Sequence, residues 1–273
     1  MKRIYISCDM EGIAGICSDR HREIGDIFYE WGRKMMTREL NTVIDIFLKK
    51  GVEDIVVNDS HHYMMNLRID ELSSNVSLIS GTHKTDSMME GITSEFDGAV
   101  FIGYHGKSGL SSAVLSHTYS DSIIKVTLNG ICTGETTLNA AFAGSKSVPV
   151  LLVSGDDKVA EEVAELKTGT QSVVTKIGIT RSAGMMFHPE KIAKDYEESI
   201  EKVFKSTIKP FKIDPPYILD VTLKETQMVD IALRIPGTKR VDDSTLRFEC
   251  DVYITTYRAF IAIQTIASAN YLK

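Results

Sequence analysis

Asp9 and Glu11 stand two residues apart at the end of the first apolar run, in Ser7-Cys8-Asp9-Met10-Glu11-Gly12. Residues two apart on a strand share a face, so both carboxylates leave the sheet side by side while Cys8 turns into the core. Adjacent carboxylates repel unless a proton, an Arg or Lys, or a metal ion lies between them, and each implies different chemistry. Four more polar clusters lie at or just past an apolar run. They are Asn58-Asp59-Ser60-His61-His62, Tyr104-His105-Gly106, Ser116-His117-Thr118 and Thr133-Gly134-Glu135, the last opening a helix. Ligands of α/β sheets bind outside the carboxyl ends of the strands, so this placement itself points to a site.

Asp9, Glu11, His61, His105 and Glu135 converge on one rim if their strands are neighbours. Carboxylates mixed with imidazoles suit a divalent ion of zinc, manganese or cobalt type. Five ligands exceed one tetrahedral site, and with Asp9 bridging they are about enough for two metals roughly 3.5–4 Å apart. His62 meets the requirement as well as His61 does, and spacing does not choose between them. Asn139, Arg181 and Ser182 are candidate substrate contacts. Arg181 suits a peptide carboxylate, or else a surface or interdomain salt bridge. His21, His83 and His188 lack strand-end placement and read as surface or packing residues, and Trp31, Met35 and Met36 read as core.

The elements that must position these groups alternate short apolar runs with longer amphipathic stretches, the pattern of an α/β domain. Strands are expected at 3–8, 54–58, 76–79, 99–103, 113–116, 123–128, 148–154 and 172–177. Helices are expected at 26–50, 134–144, 157–166 and 189–206. The first is clearest, with Leu40, Val43, Ile44, Phe47 and Leu48 at helical spacing and Gly51 as a stop. Three of the six prolines fall in 208–216, which reads as a linker. The expected organisation is a metal-binding catalytic domain over 1–207, a three-layer α/β/α sandwich with a mixed sheet, followed by a small α+β domain over 217–273. That second unit has strands at 217–223 and 246–252 and helices at 227–234 and 253–269, and it is too small to fold alone.

A formal net charge of -6 argues against nucleic acid or an anionic membrane as the main partner. Met1-Lys2-Arg3 leads into an apolar run too short for a signal peptide, and the cysteines at 8, 17, 132 and 250 are scattered, so a cytoplasmic protein with free thiols is expected.

The chain resembles the D-aminopeptidase family. The resemblance rests on Ser7-Cys8-Asp9-Met10-Glu11-Gly12 as the family's S-x-D-x-E-G. In family order follow Asn58-Asp59-Ser60-His61, Gly103-Tyr104-His105, Ser116-His117, Gly134-Glu135 with Leu138-Asn139-Ala140, and Val148-Pro149-Val150 with Gly155-Asp156-Asp157. It implies two zinc ions per subunit held by Asp9, Glu11, His61, His105 and Glu135, with His117 as the catalytic histidine. The implied substrates are short peptides with an N-terminal D-amino acid, D-alanine above all, and the implied assembly is a homo-oligomer, a ring-shaped decamer. The tract 106–112 departs from the family's version, so pocket specificity is free to differ, and the segment after the linker matches more weakly. Two rival readings remain: a dipeptide-binding or transport accessory protein without catalysis, and a binuclear metal esterase or phosphatase.

Overall fold

The computed structural model of the chain describes residues 1–269. Its first sheet is built around β1 (Arg3–Cys8), whose Ile4, Tyr5 and Ile6 are inaccessible to solvent, as a strand covered on both faces requires. β1 pairs in parallel with β2 (Asp54–Asp59) on one side and β4 (Gly98–Tyr104) on the other. β3 (Val76–Ile79) extends the sheet beyond β2. Beyond β4 lie β7 (Val150–Asp156), β8 (Gln171–Thr180) and the antiparallel β9 (Ala183–Met186), giving the order 3-2-1-4-7-8-9. The chain winds outward from β1 through β2 to β3, then returns to β4 and winds the other way. The switch point therefore falls between β1 and β4, where crevices form at the carboxyl ends of doubly wound sheets.

Side-chain alternation divides the core between two faces. Ile4, Ile6, Cys8, Val100 and Ile102 pack on one face with α1 (Tyr29–Lys49) and α4 (Pro189–Lys205). Tyr5, Ala99 and Phe101 pack on the other with α2 (Glu135–Ser145) and α3 (Asp157–Leu166). This is the expected three-layer α/β/α arrangement with a mixed sheet, and Cys8 turns away from Asp9 as alternation requires.

The run 123–128 is a strand, but it does not join the first sheet. β5 (Ile123–Leu128) and β6 (Ile131–Cys132) belong to a second, antiparallel sheet with β10 (Tyr217–Leu223), β11 (Thr238–Arg240) and β12 (Thr245–Cys250), in the order 11-12-10-5-6. β5 buries Ile123, Val126 and Leu128 while Ile124 and Lys125 are exposed, so it has one wet face, which a central parallel strand does not tolerate. The unit expected over 217–273 thus shares its sheet with residues 123–132, and its last four residues lie outside the described residues. α5 (Thr226–Ala232) and α6 (Tyr253–Ser268) complete it, with α6 filling the space between the second sheet and α2. The proline-rich segment lies against α2 so closely that a Cβ on Gly144 would meet the Phe211 carbonyl oxygen at 1.7 Å.

Residues 113–116 form a buried loop and not a strand, with Leu115 at φ 53°. In α1, Met36 is buried, but Trp31 is 42% exposed and packs its ring against His21. Among the described residues, no helix is long and apolar enough to cross a membrane.

At the switch point the loop after β1 lies directly on the end of β4. The Gly12 N–H donates to the Gly103 carbonyl at 2.7 Å, a Cβ on Gly12 would stand 1.8 Å from the Tyr104 carbonyl oxygen, and Gly103 has φ +74°. Gly12→Ala is expected to destabilise the protein by at least about 2 kcal/mol. Gly130→Ala, at φ +79° with open space around it, is expected to cost only about 1 kcal/mol of backbone strain. Urea denaturation midpoints check both, and equal losses would show that the contact at Gly12 relaxes freely.

Candidate metal centre

The five residues predicted as ligands meet in one buried cluster. Asp9 and Glu11 follow β1, His61 follows β2, and His105 follows β4. Glu135 reaches the same place from the first turn of α2 and not from a neighbouring strand of the first sheet. Its helix is held at the start by Glu162 of α3, whose Oε1 accepts the N–H groups of Gly134 and Thr137 at 3.1 Å each. The loop presenting His61 is fixed by the Asp59 carboxylate, which accepts from the N–H groups of Asn66 and Leu67. His62, at φ 51°, points outward and is exposed.

Two triads share Asp9. Its Oδ1 lies 3.3 Å from His61 Nδ1, which is 2.9 Å from Glu11 Oε2. Its Oδ2 lies 3.5 Å from His105 Nε2, which is 3.5 Å from Glu135 Oε2. Each triad brings one potential ligand atom per residue within 4.8 Å of the others, and Glu11, His105 and His117 form a third such group. His117 stacks on His105 with ring centroids 4.3 Å apart, and its Nε2 lies 3.8 Å from Glu135 Oε1 and 3.9 Å from Glu11 Oε1.

All three imidazoles are oriented by main-chain carbonyls. A carbonyl only accepts, so the ring nitrogen facing it carries a proton: Nε2 of His61 toward Arg22 at 3.0 Å, Nδ1 of His105 toward Gly106 at 3.1 Å, and Nδ1 of His117 toward Leu115 at 2.8 Å. The remaining nitrogen of each ring faces the carboxylates, the tautomer arrangement of a metal-ligating histidine. Asp9 Oδ2, Glu11 Oε2 and His105 Nε2 are buried with no hydrogen-bond partner among the described residues. Buried acceptors aimed at one another require a cation, and this donor set fits a pair of divalent ions.

Without metal, protons must serve instead. Burial, reinforced by the charge of Glu11, raises Asp9 to about 8. Burial disfavours charged imidazoles, but Glu11 and Asp9 outweigh it at His61 and push that ring well above its ordinary value, and Glu135 raises His105 to about 10. Burial also opposes ionisation of Glu11, yet His61, His117 and Arg22 hold its carboxyl well below the usual range. His117 goes the other way, lowered by burial and by neighbouring His105.

The three predicted substrate contacts are not brought to the cluster alike. Asn139 is fully buried, accepting from the Tyr119 and Tyr257 hydroxyls and donating to that of Tyr104 at 2.9 Å each. Arg181 and Ser182 lie exposed on the β8–β9 turn, with Arg181 paired to Asp121 at 3.0 Å. Two residues beside the cluster escaped the sequence reading. Arg22 Nη1 lies 3.0 Å from Glu11 Oε1, but in Asp19-Arg20-His21-Arg22-Glu23 it looks like one more solvated loop charge. Lys176 is fully buried in β8 and donates to the Glu11 and Ile16 carbonyls at 2.6 and 2.7 Å. The sequence signal for Lys176 is a lysine in the middle of a strand that carries Val173, Val174, Ile177 and Ile179.

The fold and the cluster define a binuclear type of metal centre at the switch point of a doubly wound sheet. Residues 1–262 match the model of the M55 peptidase family, described as D-aminopeptidase. A D-aminopeptidase of Bacillus subtilis strain 168 is 33% identical over 268 residues, 97% of each chain. The solved structure of the Zn-dependent D-aminopeptidase DppA from Bacillus subtilis, a self-compartmentalizing protease, is similar over 99% of this chain and 100% of its own, with a TM-score of 0.95 at 32% identity. The chain belongs to the D-aminopeptidase family, and the match runs through most of the C-terminal unit.

The perturbed groups set a pH dependence. Asp9, His61 and His105 all have folded-state pKa values above their unfolded ones, so the metal-free native state binds the extra protons and its stability falls as pH rises. Between the ordinary imidazole value of 6.5 and about 8 all three act in the same direction. Chelator-treated protein is expected to lose several degrees of Tm from pH 6.5 to 8, and metal-loaded protein, with its ligands already deprotonated, is expected to stay nearly flat over that window. Calorimetry at fixed ionic strength checks this, and parallel profiles would mean that the cluster is not the metal site.

Proposed function

We propose that the chain is a zinc-dependent aminopeptidase that releases an N-terminal D-amino acid, D-alanine by preference, from short peptides. The observation that carries this reading is the buried cluster with three unpartnered ligand atoms on Asp9, Glu11 and His105. In this reading Asp9, Glu11 and His61 would hold one zinc and Asp9, His105 and Glu135 the other. A zinc pair held by these residues would supply polarisation of the scissile carbonyl and a water acidic enough to attack it near neutral pH.

The chain's own groups do the rest. Glu11, held by Arg22, and Glu135, held by the Tyr119 N–H at 2.6 Å, keep fixed positions while charge develops between them. His117 is 11% exposed and carries its Nδ1 proton toward Leu115, so Nε2 is the atom that takes a proton and returns it to the leaving amine. Its lowered pKa keeps it neutral and ready for that role. The free amine of the substrate meets the carboxylates, which restricts cleavage to the N-terminal end. A phosphate substrate would call for an open cationic cradle, and Arg22 is engaged by Glu11 and Asp19.

The self-compartmentalizing relative supports a homo-oligomer for this chain too, and the ring-shaped decamer implied by the family is the form we propose. The four free cysteines fit a reducing, cytoplasmic setting. Light scattering tests the assembly, with an expected mass of ten times the 30.3 kDa chain.

Two enzymatic outcomes are expected. Zinc-loaded protein cleaves D-aminoacyl peptides in preference to their L-isomers, and failure to cleave any D-aminoacyl peptide with zinc bound would overturn the reading. His117→Ala lowers kcat by about 10²–10⁴ with zinc content unchanged. A loss under about tenfold would remove His117 from the proton transfers.

A further inference from the structure

Four charged side chains close a ring at the open edge of the cluster. Arg22 Nη2 lies 2.6 Å from Asp19 Oδ1 and 3.7 Å from Asp121 Oδ2. Arg181 Nη2 lies 3.0 Å from Asp121 Oδ1, and its Nη1 lies 3.8 Å from Asp19 Oδ2. Three separate segments supply the ring: the loop after β1, the loop between His117 and β5, and the β8–β9 turn. It has an inner and an outer side. The Arg22 side chain is 11% exposed and also holds Glu11, whereas those of Arg181 and Asp121 are 42% and 66% exposed.

Arg181 is nonetheless tied to the catalytic segment. Its carbonyl accepts from the Leu115 N–H at 2.7 Å, and the Leu115 carbonyl accepts from His117 Nδ1 at 2.8 Å. The main chain at Arg181 is therefore registered against His117, while the guanidinium stays open to solvent. Exposed ion pairs contribute little net stability, so the Asp121 partner is readily exchanged for another carboxylate.

We propose that Arg181 is a specificity residue that takes the C-terminal carboxylate of a short peptide, with Asp121 occupying its guanidinium until that carboxylate arrives. The proposal rests on the aminopeptidase reading above and adds the substrate class. A peptide whose first residue sits at the cluster must extend outward. Two or three residues span about 7–10 Å, and along the ion pairs Arg22 and Asp121 are the side chains between Glu11 and Arg181. The guanidinium fork matches a carboxylate, and exchange of one carboxylate for another leaves its charge paired. Arg22 does not take this role, because Glu11 and Asp19 already occupy it. Asp121, once released, is exposed enough to be hydrated. A longer chain brings no carboxylate to the ring and leaves the Arg181–Asp121 pair across its path.

The test compares D-alanyl-L-alanine, its C-terminal amide and D-alanyl-L-aspartyl amide as substrates of zinc-loaded wild-type protein, Arg181→Gln and Arg181→Lys. Wild type is expected to favour the free acid over the amide by at least about tenfold in kcat/KM, expressed in KM. In Arg181→Gln the ratio falls to within about twofold of one, and Arg181→Lys recovers part of it. A wild-type ratio near one, or a preference that survives Arg181→Gln, would overturn the proposal. Aspartyl amide cleaved as well as the free acid would overturn the C-terminal assignment. If no D-alanyl peptide is cleaved with zinc bound, the aminopeptidase reading fails on its own. Calorimetric binding of the acid against the amide then decides Arg181: tighter binding of the acid by wild type but not by Arg181→Gln supports it, and equal binding overturns it.

Discussion

The rest of the structure depends on three carboxylates placed where water cannot hydrate them. Asp9 offers ligand atoms within 4.8 Å of both Glu11 and Glu135, and all three are nearly inaccessible to solvent. Such a cluster costs several kcal/mol per unpaired charge, so it persists only if protons or metal ions sit inside it. The protein's arginines and lysines do not neutralise it: of the three carboxylates Arg22 reaches only that of Glu11, and Lys176 donates to carbonyls. The remaining deficit is left for ions to fill, and the stored repulsion supplies affinity for them.

That deficit explains how the surrounding main chain is arranged. Each of the three histidines has one nitrogen pinned by a carbonyl, so the other is presented without the entropy of a free rotor. The carbonyls come from Arg22, Gly106 and Leu115, all in loops, and those loops are fixed by contacts that leave no room for drift. Lys176 bonds the two ends of the turn from Glu11 to Ile16, while Gly12 and Gly103 let that turn rest on β4. The precision resides in the loops, and the parallel strands bring them to one place.

What the sequence revealed follows from the range of each signal. Asp9, Glu11, His61 and His105 were legible because a strand end is a local feature and the apolar runs before them are unambiguous. Glu135 was found for an incomplete reason. Its spacing marked a helix start, but its arrival at the cluster depends on β5 leaving for the second sheet, a nonlocal pairing that the alternation of Lys125 and Thr127 hinted at without naming a partner. Arg22 and Lys176 were missed because their meaning lies in what they touch. The apolar Ala113, Val114 and Leu115 predict a strand at 113–116, yet they are buried by packing beneath the β8–β9 turn and not by a ladder.

Asn139 ties α6 and the second sheet to the cluster. It lies one helical turn after Glu135 on α2, and its amide is bonded to Tyr104 of β4, Tyr119 of the His117 loop and Tyr257 of α6. Tyr104 continues to Ser7 at 2.7 Å and Ser7 to Ser60 at 2.7 Å, so one chain of hydrogen bonds runs from α6 across α2 and β4 to the strand ends that carry Asp9 and His61. Buried polar networks of this kind are worth their cost only when every member is satisfied, and they then hold a unique geometry. The helix bearing Glu135 is thereby clamped from both sides, by the first sheet through Tyr104 and by the second unit through Tyr257. A divalent ion tolerates small ligand displacements poorly, so if Glu135 is a ligand as proposed, the second sheet bears directly on where it stands.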